Sequence, residues 1–295
     1  MRKDLINAVE DEFINADYRV ALSRGSFDVV AAGNNSILVK VLSNIDSATE
    51  TQAKSLLTAA RSIDAKPMFV GTKTRKGEME ELVYHRFGVP AIAINSLQDI
   101  IANRKIFSHA GKGGSVVYID GAKMRANRKK LGLSLGDVSR EVGVSRTSII
   151  YYENNGRARP EIVEKIECLL GSPVAINELH AANAETYEKP KGLEAVVSRK
   201  LSRIGFSTMQ ISKAVFNLVA RSENVILANV SENNNTFRKD AQMLHDISEI
   251  TGKRAVFVSQ KFFRRSVEGV PVIMRSELEE INEIEALEEL IEDRI

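Results

Sequence analysis

The sequence predicts two related α/β units, each built on a mixed central sheet, with a small all-α domain between them. Three observations carry this. The chain repeats itself: residues 22–41 align without gaps on 211–230, 66–73 on 254–261, and 88–100 on 269–281, with a Gly-Val-Pro triplet in both copies. Within a copy, the β-branched run SILVKVL (36–42) suits a strand buried on both faces, whereas AKSLLTAARSI (53–63) has helical spacing. Between the copies, residues 121–173 carry short helical patterns separated by turn residues. The layout is therefore a first copy (1–104), a connecting hairpin (105–120), the helical domain (121–173), a polar linker (174–191) and a second copy (192–295). Two copies are too few for a solenoid, so they form two domains or the halves of one pseudo-symmetric body.

Each copy has the same grammar. A helix opens it, at about 3–15 or 192–204, and in the first copy strands follow at 18–22, 27–32 and 36–42. Next come a helix (48–63; 237–251), a buried strand (67–71; 254–258), a second helical region, a short strand after Pro90 or Pro271, and a closing helix. HAGKGGS (109–115) departs from a phosphate loop because its Lys precedes the last glycines and a strand-like VVYID follows. It reads as a glycine-rich hairpin turn joining 104–108 to 115–119. Residues 277–293 read as one acidic amphipathic helix, with Leu278, Ile281, Ile284, Leu287 and Ile291 on one side, closing the second copy.

Composition narrows the class. At 295 residues with net charge +2, the chain is long enough for several cores and shows no overall polyelectrolyte bias. The single cysteine, Cys168, excludes an internal disulfide framework, fits a reducing compartment, and lies among Ile166, Leu169 and Leu170 as a small core residue. The four histidines (85, 109, 180, 245) lack metal-ligand spacing, so no metal site and no cofactor are expected. No apolar run reaches membrane-helix length, and the amino-terminal segment is amphipathic, so the expected location is the cytoplasm.

The helical domain carries the chemistry. Val138, Val142, Val144 and Ile149 have the spacing that packs two short helices together, and Gly143 sits at the turn. Ser145 can cap the next helix, whose outer face reads Arg146, Thr147, Ser148 and Tyr151. Such a helix fits the DNA major groove. Charge agrees, with nine Lys/Arg against three acids over 121–160, while 276–295 holds nine acids and one arginine.

On these residues (R-x-x-x-G-L-S, then V-S-x-x-x-G-V-S-x-x-x-I, then Y-E-N), 121–171 resembles the Cro-type helix-turn-helix domains of the XRE regulator family. The resemblance implies five helices with the third in the major groove. It places Arg146, Thr147 and Tyr151 at base edges, and Ser145, Ser148, Asn154, Arg157 and Arg159 at phosphates. It also makes Arg128 and Glu153 an internal structural pair. Leu135 stands where that family commonly has a phosphate-binding glutamine, which shifts weight to Arg157 and Arg159.

The flanking copies, through FDVVA (27–31) and LVK (38–40) in the order α-β-β-β-α-β, resemble the restriction-endonuclease-like family that includes Holliday-junction resolvases. That resemblance implies an acid pair holding a divalent metal beside a lysine. Asp28 and Lys40 fill two slots, but Leu38 occupies the second acid's place and cannot ligate a hard cation. In the second copy the equivalents are Asn217, Ile226 or Leu227, and Asn229, so the charge is gone. Asp28, Leu38 and Lys40 are then vestigial nuclease positions, and the expectation is no catalytic residue and no enzyme.

Repeat and reader together, with VLSNIDS (41–47), resemble the archaeal helix-turn-helix transcriptional regulators. The implied function is sequence-specific binding of double-stranded DNA by a homodimer paired through its α/β bodies. Two alternatives stay open. One is a targeted metal-dependent nuclease using Asp28, Lys40 and an acid displaced to Asp46 or Glu50. The other is an adaptor docking its acidic carboxyl-terminal helix on transcription or replication machinery.

Overall fold

A computed structural model describes residues 2–102, 108–111, 113–176, 179, 181, 190–231, 237–261 and 264–294. His180, Lys112 and most of the expected linker lie outside them, as do all but Ser108 of the segment expected to pair with 115–119.

The first unit runs α1 (Arg2–Ile14), β1 (Arg19–Leu22), β2 (Val29–Ala32), β3 (Ser36–Asn44), α2 (Glu50–Ser62), β4 (Ala65–Thr74), β5 (Gly77–Glu78), β6 (Tyr84–Arg86), β7 (Val89–Ala93) and α3 (Leu97–Ile101). A reader follows: β8 (His109–Gly111), β9 (Gly114–Tyr118), α4 (Gly121–Lys130), α5 (Leu135–Val142), α6 (Arg146–Tyr152), β10 (Arg157–Ala158) and α7 (Pro160–Leu170). The second unit comprises α8 (Gly192–Arg203), β11 (Ser207–Gln210), β12 (Leu218–Arg221), β13 (Val225–Ser231), α9 (Phe237–Thr251), β14 (Arg254–Ser259), β15 (Ser266–Val267), β16 (Val270–Met274), α10 (Arg275–Glu280) and α11 (Ile284–Glu292).

The two sheets have one topology. Strand order is β1-β2-β3-β4-β7-β6 in the first and β11-β12-β13-β14-β16-β15 in the second. In each, the three central strands (β3, β4, β7; β13, β14, β16) are parallel, their neighbours β2 and β6, or β12 and β15, run antiparallel to them, and β1 or β11 pairs antiparallel with β2 or β12. The mixed sheet was legible; the connection into its last parallel strand was not. Residues 72–88 contain no helix, and β6 instead turns back into β7. The reason is local: Phe87 and Gly88 have φ of +51° and +80°, the paired positive values of a tight hairpin turn. Glu268 and Gly269 repeat it at +47° and +78°.

The units pack on each other within one chain. One continuous core holds Leu38, Leu56 and Phe69 of the first unit with Leu227, Leu244 and Phe257 of the second. The outer faces are covered separately, by α1 and α3 on the first sheet and by α8, α10 and α11 on the second. Phe27 and Phe216, equivalent in the repeat, meet ring to ring at 5.7 Å, both fully buried. Burying a phenyl ring of this kind contributes roughly 1.5–3 kcal/mol. Gly25 has φ +94° and approaches so closely that a Cβ there would lie 1.7 Å from the Lys213 carbonyl oxygen. Each unit also caps the other's middle helix. Arg19 donates to the Ile250 carbonyl at the end of α9 (2.8 Å), and Arg221 donates to the Ser62 carbonyl at the end of α2 (3.0 Å). Cations at helix carboxyl ends oppose the negative pole of the dipole.

Two other expectations are corrected. The acidic segment 277–293 is two helices, because Ile281 adopts an extended conformation (φ −73°, ψ 129°) that ends α10. Leu278, Leu287 and Ile291 are buried in the second unit's outer core, with Ile281 and Ile284 packed against it, so the stripe closes the fold. Cys168 is exposed, not core. On α7 the buried residues are Val163, Ile166 and Leu170, and Cys168 is two positions, about 200° of helical rotation, from Ile166.

Candidate nucleic-acid interface

Between 121 and 171 the reader has four helices, not five, together with β10, which pairs with β9 (Arg157 opposite Tyr118, Ala158 opposite Val117). The hairpin thus enters the domain: Val117 and Ile119 share its core with Met124, Val138, Val142 and Ile149.

Local chemistry fixes each reading element. Ser134 begins α5 with a reciprocal box, its hydroxyl accepting from Asp137 N and its own N–H donating to the Asp137 carboxylate. Gly143 ends α5 in the left-handed conformation, φ +78°. Ser145 then caps α6, accepting from Ser148 N at 3.0 Å. Ile149 anchors α6 inward, and Arg146, Thr147 and Tyr151 stand exposed. Ser145, Asn154, Arg157 and Arg159 are exposed too, while Ser148 is half-buried and hydrogen-bonds the Ser145 hydroxyl at 2.8 Å. Ser145, Arg146, Thr147, Ser148, Tyr151 and Asn154 lie on or next to α6, Arg157 lies in β10, and Arg159 immediately precedes α7. Leu135 is partly buried against the reader's core, so the residue that departs from the related domains serves packing.

Beneath α6 lies a charged knot. Buried Glu153 receives Arg128 through both carboxylate oxygens, with Arg128 Nη2 at 3.1 Å from Oε2, and Arg128 also donates to the Leu133 carbonyl at 2.9 Å. Arg125 adds bonds to the Glu153 carboxylate (3.3 Å), its carbonyl (3.1 Å) and Asn154 Oδ1 (3.0 Å). Burial would raise the Glu153 pKa, but the two guanidiniums outweigh it and hold the carboxyl below its ordinary range. Sequence reasoning missed Arg125, although it lies three residues before Arg128 on the same helix face. It also missed Ile150, 44% exposed beside 51%-exposed Tyr151 on α6. An apolar residue there, outside the buried i, i+3/i+4 stripe, was the available signal.

The nuclease-like positions are assembled differently. Asp28 is buried, and its Oδ1 receives Arg2 Nη2 (2.7 Å) and Lys40 Nζ (3.2 Å), while Oδ2 accepts from Val41 N (2.9 Å). Lys40 also donates to the Gly25 carbonyl, and burial pushes its ammonium below the usual lysine range against the opposing pull of Asp28. Leu38 is fully buried in the shared core. Asp46 is bound by Arg86 Nε (2.8 Å) and Arg75 N (2.6 Å), and Glu50 by Lys54 Nζ (2.8 Å). A divalent metal does not fit this donor set: one carboxylate, already bonded by two cations and an amide, faces an apolar side chain where a second ligand belongs. In the second unit Asn217 Oδ1 accepts from Val230 N (2.8 Å), Asn217 Nδ2 donates to Glu194 (2.7 Å), and Asn229 donates to the Val215 carbonyl (2.6 Å).

Comparison with known proteins finds matches in both parts of the chain. Residues 2–106 match the PD-(D/E)XK superfamily domain and residues 124–176 a helix-turn-helix domain. A protein of Thermococcus gammatolerans bearing the name "Putative HTH-type transcriptional regulatory protein" is 34% identical over 93% of this chain and 90% of its own length. The chain belongs to this archaeal HTH-type regulator family. Members of the same name from Thermococcus kodakarensis and Pyrococcus horikoshii are each 32% identical over 99% of this chain, and over 96% and 98% of their own lengths. No solved structure matches. Among the described residues, this regulator has no helix long and apolar enough to cross a membrane.

Proposed function

We propose that the chain is a sequence-specific DNA-binding transcriptional regulator of the cytoplasm, in which the α/β units are catalytically inactive scaffolds. The observation that carries this is α6, capped by Ser145 and braced by Glu153, presenting Arg146, Thr147 and Tyr151 outward. In this reading those three select bases, and Ser145, Ser148, Asn154, Arg157 and Arg159 hold phosphates and set register. Ile150 supplies an apolar contact suited to a thymine methyl. The nuclease-like copies, 1–104 and 192–295, serve as the body to which the reader is attached.

A single chain carries one reader, and its two α/β units already cover each other. A homodimer on a near-palindromic operator, with readers about one helical turn apart, therefore joins through a surface other than the Phe27–Phe216 contact. Any contact with transcription machinery uses the exposed acids of α10 and α11, such as Glu279, Glu283 and Glu289, since the apolar side is committed to the core.

Selection of bound sequences from a random duplex library tests the proposal. The expected result is enrichment of a two-fold-related site, with Arg146→Ala costing about 1–3 kcal/mol of binding and relaxing preference at one base. An unchanged binding profile for that variant would remove Arg146 from the reading set. Failure to enrich any sequence would overturn the function.

A further inference from the structure

The bend between α10 and α11 opens a groove of about 580 Å³ on the surface of the second unit. Ala286 and Leu290, one helical turn apart on α11, form its apolar floor together with Ile281. Three carboxylates line it. Glu277 is already neutralised by Arg294, which donates to both of its oxygens (2.7 and 3.1 Å). Glu280 and Glu283 are exposed, and neither forms an ion pair among the described residues. Two cations reach the neighbouring Glu279: Arg275 pairs with its carboxylate (2.8 Å) and Lys200 donates to its carbonyl (2.8 Å). Against Lys200, α11 adds exposed Glu285 and Glu289, so the rim stays negative.

The reader carries the complement. Where α4 ends, Leu131 is 52% exposed, and its neighbours Lys129, Lys130 and Gly132 are exposed as well. Neither lysine forms an ion pair among the described residues. A large apolar side chain beside two ammonium groups matches an apolar floor rimmed by free carboxylates. Turn and groove both stand open to solvent within one chain, so a chain does not fill its own groove. Lys129 and Lys130 also belong to the basic residues that draw the reader to DNA, so the groove competes with phosphate for them.

We propose that, away from DNA, residues 129–132 of one copy dock in the α10–α11 groove of a second copy. Leu131 lies on Ile281, Ala286 and Leu290, and the lysines face Glu280 and Glu283. Each copy has one such turn and one such groove, so a two-fold pair makes the contact twice. The pair masks both readers, is distinct from any pairing on an operator, and separates when DNA takes the lysines.

Sedimentation equilibrium of the intact chain at micromolar concentration tests this with two charge-reversed forms, Lys129→Glu with Lys130→Glu and Glu280→Lys with Glu283→Lys. The parent should be a dimer. Each reversed form alone should be a monomer, because like charges then meet in both contacts. Their equimolar mixture should be a dimer again, since the exchanged charges match, and that recovery shows both forms to be folded. Leu131→Ala, at a position that supports no core, should weaken pairing at least tenfold. An excess of random duplex of about ten base pairs, one helical turn and too short for two readers, should split the parent into single DNA-bound chains. A monomeric parent, a dimer that survives either charge reversal, a mixture that stays monomeric, full pairing of Leu131→Ala, or a parent dimer unbroken by the short duplex would each overturn the proposal. None of these outcomes bears on the selection of bases by α6.

Discussion

The two α/β units answer the same structural question with opposite charges. In the first, the carboxylate of Asp28 accepts the Val41 amide and is neutralised by Arg2 from the opening helix and by Lys40 from the sheet. In the second, the Asn217 amide accepts the equivalent Val230 amide, the opening helix supplies Glu194, and Asn229 replaces the lysine. The hydrogen-bond frame is retained while the charge that a metal would need is removed or covered. The frame therefore pins the opening helix to the sheet in both units. Its retention in the copy that lacks the Asp and Lys argues that the first copy keeps it for the same reason.

Variants can break this comparison, and the largest effect belongs to the first unit. Asp28→Ala leaves Lys40 buried without its carboxylate and should cost about 3–5 kcal/mol in urea unfolding. Phe27→Ala opens the contact shared by both units and should cost about 3–5 kcal/mol, with the two units losing a common transition. Unchanged cooperativity would show that the units are stable apart. Glu153→Gln should cost the reader about 3 kcal/mol at neutral pH, because Arg128 loses its buried partner. The Glu153 pKa is depressed on folding, so its contribution is complete above the unfolded value of about 4.5 and is lost as pH falls through the folded value. Acid unfolding of Glu153→Gln should accordingly be shallower than that of the parent. The smallest effect per contact is expected in the second unit, where Asn217→Ala removes hydrogen bonds to the Val230 backbone worth about 1 kcal/mol each and one to the Glu194 carboxylate worth about 1.5–3 kcal/mol. Equal costs for Asp28→Ala and Asn217→Ala would erase the distinction between the units.

Much of the fold was legible because the repeat doubled every signal. The α-β-β-β-α-β order, the buried third strand and the face of α6 follow from periodicity and caps that depend on near neighbours. The turn at Phe87 was not legible, since a bulky residue at positive φ contradicts its own preference and is held there by the pairing of β6 with β7. That the copies could be halves of one body was legible, but not the surface that joins them: Phe27, expected in the strand at 27–32, lies just before β2 and meets Phe216 of the other unit. The kink at Ile281 and the outward turn of Cys168 were missed for the opposite reason: an unbroken helical pattern was extended past what the core accepts. Within the reader, Arg125 escaped because its partners, Glu153 and Asn154, lie across the fold.

The most direct test of the account is to incubate the selected duplex with the intact chain and Mg²⁺ and to follow the DNA on a denaturing gel. Bound and wholly intact DNA, for the parent and for Asp28→Ala alike, is the predicted result. Cutting by the parent that disappears in Asp28→Ala would show that Asp28 works on DNA despite Arg2, Lys40 and Leu38, and that the α/β units are more than scaffold.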